Sequence, residues 1–313
     1  MNLAFVFPGQ GAQSVGMMSA YGDHAVVRDT FAEASAVLGM DLWQLAQHGP
    51  EDALDRTVVT QPLMLTAGVA VWRLWQTRNA PQPAWLAGHS LAEYSALVAG
   101  GALQFEDAVR LIQQRARLMQ DAVPEGQGAM AAILGLDDAD VAAACAEGAQ
   151  GEALEPANFN SPGQVVIAGV RAAVERGIEA AKARGAKRAV MLAMSVPSHC
   201  SLLRGAADQL AEALAGIPVQ TPAIPVIHNV DMQAHDQPDA IRSALVRQLY
   251  SPVQWSGSLR TLAERGVVHV AECGPGKVLA GLCRRIDARL QGTALHDAAS
   301  LDTFEQMLQG AQA

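Results

Sequence analysis

Ser90 is the residue whose neighbours best equip it for covalent chemistry. It sits at the centre of Gly88-His89-Ser90-Leu91-Ala92. The apolar run Ala84-Trp85-Leu86-Ala87 precedes this stretch, and Glu93-Tyr94-Ser95-Ala96-Leu97-Val98-Ala99 follows it, stopped by Gly100-Gly101. A buried strand, a sharp turn carrying a serine and then a helix form the setting of a nucleophile elbow, which lifts the hydroxyl above the sheet. The helix aims free N–H groups and its positive end at any oxyanion that develops there. The chemistry this suits is acyl transfer through a serine ester. The elbow pattern ends in glycine, and here Ala92 stands in that place.

A serine nucleophile needs a base to take its proton, and histidine is the usual choice near neutral pH. Of the eight histidines, His199 lies in Val196-Pro197-Ser198-His199-Cys200, just after a strand and at the start of a helix. Loops of that kind often carry catalytic groups. His89 adjoins Ser90, but its side chain leaves the turn in a different direction, so it reads as structural. Nothing around Cys200 supports it as a nucleophile.

A helix over 105–121 carries the apolar stripe Ala108, Leu111, Ile112, Leu118 and Met119, and Arg115 falls on that same stripe. Two readings are open. The stem packs while the head reaches water, or the guanidinium enters a cleft and holds a carboxylate through two parallel hydrogen bonds. Arg117 points elsewhere and is expected to be solvated. On a helix over 237–250, Gln248 sits at the edge of the stripe Ile241, Leu245 and Leu249, and its value depends on what faces it.

Two glycine-rich turns do not imply a nucleotide cofactor. Gly9-Gln10-Gly11-Ala12-Gln13-Ser14 lacks the third glycine of a dinucleotide fingerprint. Gly274-Pro275-Gly276-Lys277-Val278 lacks the leading glycine of a phosphate loop and has valine where that loop has a hydroxyl residue.

The elements that must position these residues alternate between short apolar strands and amphipathic helices, which favours a mostly parallel sheet covered on both faces. Leu3 to Phe7 is the first strand, broken by Pro8-Gly9. A helix over 61–79 precedes the elbow. Residues 127–197 read as a separate β-α-β-β-α-β unit, the order of a ferredoxin-like module, with strands at 129–134, 154–159, 165–168 and 188–194. Residues 1–126 and 198–313 make the larger α/β unit, with a helix at 201–215, strands at 223–229 and 267–272 and a helix at 277–287. The last two dozen residues read as a poorly anchored tail.

The chain has 313 residues, half of them apolar, enough for one large domain and a smaller one. A net charge of −9 and 4% aromatic content argue against nucleic acid as a partner. The four cysteines show neither C-x-x-C nor zinc-ligand spacing, which suits a reducing cytosol without a bound metal. No apolar run is long enough to span a membrane, and Met1 to Pro8 does not read as a signal peptide.

Taken together, the motifs resemble the malonyl-CoA:acyl carrier protein transacylase family over nearly the whole chain. The resemblance is carried by Phe5-Val6-Phe7-Pro8-Gly9-Gln10-Gly11, Gly88-His89-Ser90-Leu91, Tyr94-Ser95-Ala96-Leu97 and Arg115 followed by Leu118-Met119. Gly128-Ala129-Met130, Asn160-Ser161-Pro162-Gly163-Gln164-Val165-Val166, Val196-Pro197-Ser198-His199-Cys200, Val246-Arg247-Gln248-Leu249-Tyr250 and Glu272 to Leu279 continue it.

The resemblance implies a hydrolase-like α/β core with a ferredoxin-like insert and the active site in the gorge between them. It implies Ser90 as nucleophile, His199 as base, and the main-chain carbonyl of Gln248 as orienter of the imidazole. The N–H groups of Gln10 and Leu91 would form the oxyanion hole, Arg115 would hold the malonyl carboxylate, and Met130 and Val278 would be pocket walls. The substrates would be malonyl-CoA and holo acyl carrier protein, with no cofactor, in a cytoplasmic protein expected to be a monomer. The rivals are a serine thioesterase or esterase, which passes the acyl group to water, and a non-catalytic carrier-binding paralogue. An acidic carrier needs a local basic patch on this acidic chain. Arg171, Arg176, Lys182, Arg184, Lys187 and Arg188, with Arg284 and Arg285, are the candidates, against an ordinary solvated helix face.

Overall fold

Every residue of the run Leu3–Phe7 is buried, and the two faces of this strand feed two different cores. The computed structural model describes residues 2–78, 80–194 and 196–310; Met1, the Asn79 end of the expected helix, Ser195 and the last three residues of the expected tail lie outside it. Successive side chains of a strand point to opposite faces. Leu3, Phe5 and Phe7 therefore pack with Trp75, Tyr94 and Leu111, while Ala4 and Val6 pack with Trp255, Leu259 and Leu282. A strand buried on both faces belongs inside a parallel sheet.

The strands in chain order are β1 (Leu3–Phe7), β2 (Trp85–Gly88), β3 (Gly128–Leu134), β4 (Leu154–Ser161), β5 (Gln164–Val170), β6 (Arg188–Met191), β7 (Val226–Ile227), β8 (His269–Cys273) and β9 (Gln291–Leu295). A parallel five-stranded sheet runs β7-β2-β1-β8-β9. An antiparallel four-stranded sheet runs β4-β5-β3-β6. The molecule is thus a mixed α/β protein with a parallel sheet at its centre.

On the smaller sheet, Ala131, Ile133, Val165 and Ile167 face the helices Asp138–Ala149 and Arg171–Ala183 through Val141, Cys145, Val174 and Ile178. The opposite face offers Met130, Val166 and Ala168 to Cys200. Strand β4 joins this unit to the rest of the chain: Phe159 N–H donates to Val253 O and Val253 N–H to Ala157 O, both at 2.9 Å.

In the parallel sheet Phe7 is the register partner of Gly88. The loops leaving β1 and β2 therefore emerge side by side at the carboxyl ends of the strands, where open α/β sheets bind ligands. Two glycines permit the close approach. A Cβ on Gly9 would stand 2.6 Å from His89 O, and one on Gly88 would stand 1.9 Å from Ala92 O.

The tail expectation is overturned. Strand β9 pairs with β8 along its whole length, and the helix Ala298–Gly310 buries Leu301, Phe304 and Leu308. The Phe304 ring lies 5.8 Å from that of Trp75. Gln291-Gly292-Thr293-Ala294-Leu295 lacks an alternating apolar pattern because β9 is an edge strand, and Gly292 is demanded by the Ala280 carbonyl, 2.2 Å from where a Cβ would stand. The helix expected at 61–79 begins earlier, at Thr57, so Pro62 lies in its second turn. The expected strand 223–229 is reduced to Val226–Ile227. Among the described residues no helix is long and apolar enough to cross a membrane.

Candidate active site

The turn after β2 holds Ser90 at φ 55°, a backbone conformation few non-glycine residues adopt. The hydrogen bonds around it explain how it is held. Asn229 Oδ1 accepts from Ser90 N–H at 2.7 Å, and Asn229 Nδ2 donates to Gly88 O at 2.7 Å, so one amide clamps both sides of the elbow. Ala92 sits at φ −75° and ψ −4°, an ordinary right-handed conformation, fully buried. The methyl that departs from the elbow pattern is accommodated without a glycine-only geometry.

Ser90 Oγ lies 2.6 Å from His199 Nε2, and His199 Nδ1 lies 2.8 Å from the main-chain carbonyl of Gln248. A carbonyl only accepts, so Nδ1 carries the proton and Nε2 presents its lone pair to the serine hydroxyl. That is the tautomer a general base requires. Burial, reinforced by the positive charge of Arg115, pushes the imidazole down to about 3, which keeps it neutral at physiological pH. His199 itself has φ 61°, with its N–H donating to Leu249 O at 3.2 Å.

Arg115 does not snorkel: it is 1% exposed. Its Nη1 donates to Gln61 Oε1 at 2.6 Å and its Nη2 to Gln248 Oε1 at 3.1 Å. The Tyr94 ring lies 5.9 Å from its guanidinium carbon. Among the described residues no carboxylate forms an ion pair with it, and its Nε has no partner. Burial lowers its pKa, while Tyr94 and Glu93 oppose that shift. Arg117, on the opposite face, is exposed as expected.

Gln248 is fully buried and does more than its sequence position suggested. Its main chain holds His199, its side-chain oxygen holds Arg115, and its Nε2 donates to Ser90 O and to Glu93 Oε2, both at 2.9 Å. Four residues of the site therefore meet at one glutamine.

Gln10 lies three residues beyond Phe7 and Leu91 three beyond its register partner Gly88, so both stand in the segments that leave the two paired strands. Gln10, His89, Asn160, Gln164, Val278 and Leu282 line one cleft, with Val278 53% exposed at its rim. Met130 is elsewhere: it is buried, with its sulfur 3.4 Å from Ser198 N, beneath the loop that carries His199. His89 turns away from the serine, its Nε2 2.8 Å from Asn160 Oδ1 and its ring 5.3 Å from Trp255. All four cysteines are free and buried, and burial pushes the Cys200 thiol up to about 12.

Sequence reasoning missed Gln61, Glu93, His228 and Asn229, all of them buried. One signal was available. Ser90-Leu91-Ala92-Glu93 matches a capping box, in which the glutamate returns to the serine N–H. Here Asn229 takes that N–H, and the Glu93 carboxylate turns inward instead. No group of three or more metal-ligating side chains is found among the described residues.

The basic residues of the smaller unit are largely engaged. Arg176 pairs with Glu152 at 2.6 Å, Lys182 with Glu179 at 2.8 Å and Arg184 with Glu147 at 2.9 Å. Arg285 instead reaches Gln164 Oε1 at 3.3 Å, beside the cleft, and shares a surface hollow with Lys187.

A serine on a strained elbow, a neutral imidazole and a buried cation define an acyl-transfer site, and comparison with known proteins agrees. Residues 4–288 match the family model of the acyl transferase domain, and the chain belongs to that family. It is 56% identical to the malonyl CoA-acyl carrier protein transacylase of Escherichia coli, over 95% of this chain and 97% of that protein. An acyl carrier protein S-malonyltransferase from Vibrio cholerae, solved as a crystal structure, is 54% identical with a TM-score of 0.95, covering 97% of this chain and all of that one. A malonyl-transacylase solved with its type II acyl-carrier protein is 53% identical with a TM-score of 0.96, covering 97% and 99%. The chain is an acyltransferase.

Proposed function

We propose that this acyltransferase moves a malonyl group from malonyl-CoA to the phosphopantetheine thiol of acyl carrier protein through a malonyl ester of Ser90, in fatty acid biosynthesis. The observation that carries this reading is the shared glutamine: Gln248 orients His199 against Ser90 and holds Arg115 beside them. A nucleophile and a carboxylate-binding cation on one residue suit an acyl group with a free acid at its far end.

His199 Nε2 takes the Ser90 hydroxyl proton as Oγ attacks the thioester carbonyl. The intermediate collapses, the C–S bond breaks, and the departing CoA sulfur receives the proton from His199. The carrier thiol then gives its proton to His199 and attacks the serine ester, and Ser90 leaves with that proton. The N–H groups of Gln10 and Leu91 serve as the oxyanion hole, each worth about 3 kcal/mol to the transition state. Met130, against the loop that carries His199, and Val278, at the rim of the cleft, serve as pocket walls for the acyl group. With a neutral acyl group, Arg115 lacks its anionic partner, which disfavours acetyl donors.

The larger unit, 1–126 and 198–313, is read as a hydrolase-like core. Residues 127–197 are read as a ferredoxin-like subdomain, whose strand order suits that fold. We take the protein to be a cytoplasmic monomer without a nucleic-acid partner, and Lys187 and Arg285 to be the better candidates for carrier docking. The test follows labelled malonyl-CoA in the presence of holo carrier: label on the carrier thiol is expected, and free malonate as the main product would make the protein a thioesterase.

A further inference from the structure

We propose that Glu93 is a positioning residue that acts through Gln248, setting the orientation in which that glutamine presents an acceptor to Arg115. The proposal rests on the malonyl-transfer reading.

Glu93 is completely buried, one turn beyond the nucleophile. Its carboxylate accepts from His228 Nδ1 at 2.6 Å, Asn229 N–H at 2.9 Å and Gln248 Nε2 at 2.9 Å. A buried carboxylate is costly unless its lone pairs are met, and three donors from two other segments meet them here. His228 is equally buried, and its other ring nitrogen has no partner among the described residues, so its polar contact here is with Glu93.

The Gln248 amide has two possible orientations, and its surroundings choose one. Its Nε2 faces two oxygens, Glu93 Oε2 and Ser90 O. A flip would set the amide oxygen against both and turn the NH2 group on the guanidinium of Arg115. With Glu93 in place, Oε1 must face Arg115. Glu93 thus supplies negative charge near the cation while an amide stands between them. A direct ion pair would have to be broken by the incoming malonyl carboxylate; two neutral amide oxygens, from Gln61 and Gln248, leave the guanidinium free to receive it. The same carboxylate fixes the backbone of Asn229, whose side chain clamps Gly88 and Ser90.

The test is a double-mutant cycle on donor choice, using Glu93→Gln, Gln248→Met and the pair, with folding checked by thermal melting. Gln248→Met keeps the main-chain carbonyl that holds His199. The quantity read is kcat/KM for malonyl-CoA divided by that for acetyl-CoA. Glu93→Gln is expected to shrink this ratio about tenfold, the size of one charge-assisted hydrogen bond, chiefly through KM for malonyl-CoA. The same substitution in the Gln248→Met background is expected to shrink it no further. A ratio unchanged by Glu93→Gln, or effects that multiply in the double variant, would overturn the proposal. Should Glu93→Gln not fold, Glu93→Asp, which keeps the charge but shortens the reach, enters the same cycle with the same expectation. Arg115→Ala is the control: if it leaves the ratio intact the malonyl reading itself fails, whereas a collapse with Arg115→Ala but not with Glu93→Gln removes only the role of Glu93.

Discussion

Arg115 and His199 are held by two different oxygens of Gln248, the side-chain oxygen at 3.1 Å from the arginine and the main-chain oxygen at 2.8 Å from the histidine. The residue proposed to select the acyl donor and the residue proposed to activate the nucleophile are thereby tied to one buried residue on the helix Pro238–Tyr250. A main-chain carbonyl here does the work an aspartate does in a serine protease triad: it fixes the tautomer but adds no charge.

Replacing Arg115 with alanine should lower kcat/KM for malonyl-CoA about a hundredfold or more, since losing one partner of a buried ion pair costs ~3 kcal/mol. The value for acetyl-CoA should change far less. Steady-state kinetics with both donors checks this.

The lowered pKa of His199 has consequences for activity and for stability. The base stays neutral well below pH 6.5, so the rate of serine acylation should remain level through that value on acidification. For stability, the unfolded chain binds a proton that the folded imidazole refuses between 6.5 and about 3. The unfolded state is therefore favoured as pH falls through that window. Denaturant midpoints measured at pH 7 and pH 5 should fall in the wild type and fall less in His199→Gln.

Exchanging the elbow residues should separate two roles of small side chains. Ala92→Gly restores the elbow pattern, but Ala92 already has helical angles, so glycine adds only chain entropy to the unfolded state. A loss of about 0.5–1 kcal/mol in stability is expected, with acylation unchanged. Gly88→Ala would drive a methyl to within 1.9 Å of Ala92 O and should abolish folding or the elbow. Thermal melts and single-turnover acylation distinguish the two.

The C-terminal segment should matter to stability and not to chemistry. Phe304 packs on Trp75 and Phe5 behind the sheet. Phe304→Ala is expected to cost about 3–5 kcal/mol. In the protein that remains folded, the ratio of malonyl to acetyl turnover should be unaltered.

The site was legible where a residue broke a pattern. Ser90 sits on a strand–turn–helix junction and Arg115 interrupts an apolar stripe, so both stand out in the sequence alone. Glu93 did not, because a glutamate in the first turn of a helix is unremarkable at the surface, and only the approach of His228 and Asn229 from distant sequence makes it interior. Gln248 was visible as a position but not as a junction, since its four partners come from three separate segments, the elbow with its helix, the helix of Arg115 and the loop of His199. The parallel sheet was readable from its apolar runs. Strand β9 was not, because an edge strand of small residues carries no alternation, and the close approach of Ala280 rather than any local preference dictates its Gly292.

The central claim is that Ser90 carries the acyl group, and intact-protein mass after brief exposure to malonyl-CoA without carrier tests it most directly. One malonyl unit should appear on the wild type, map to the peptide containing Ser90, vanish on addition of holo carrier, and be absent from Ser90→Ala. An adduct that survives in Ser90→Ala, or a wild type that turns over carrier with its mass never changing, would contradict the account.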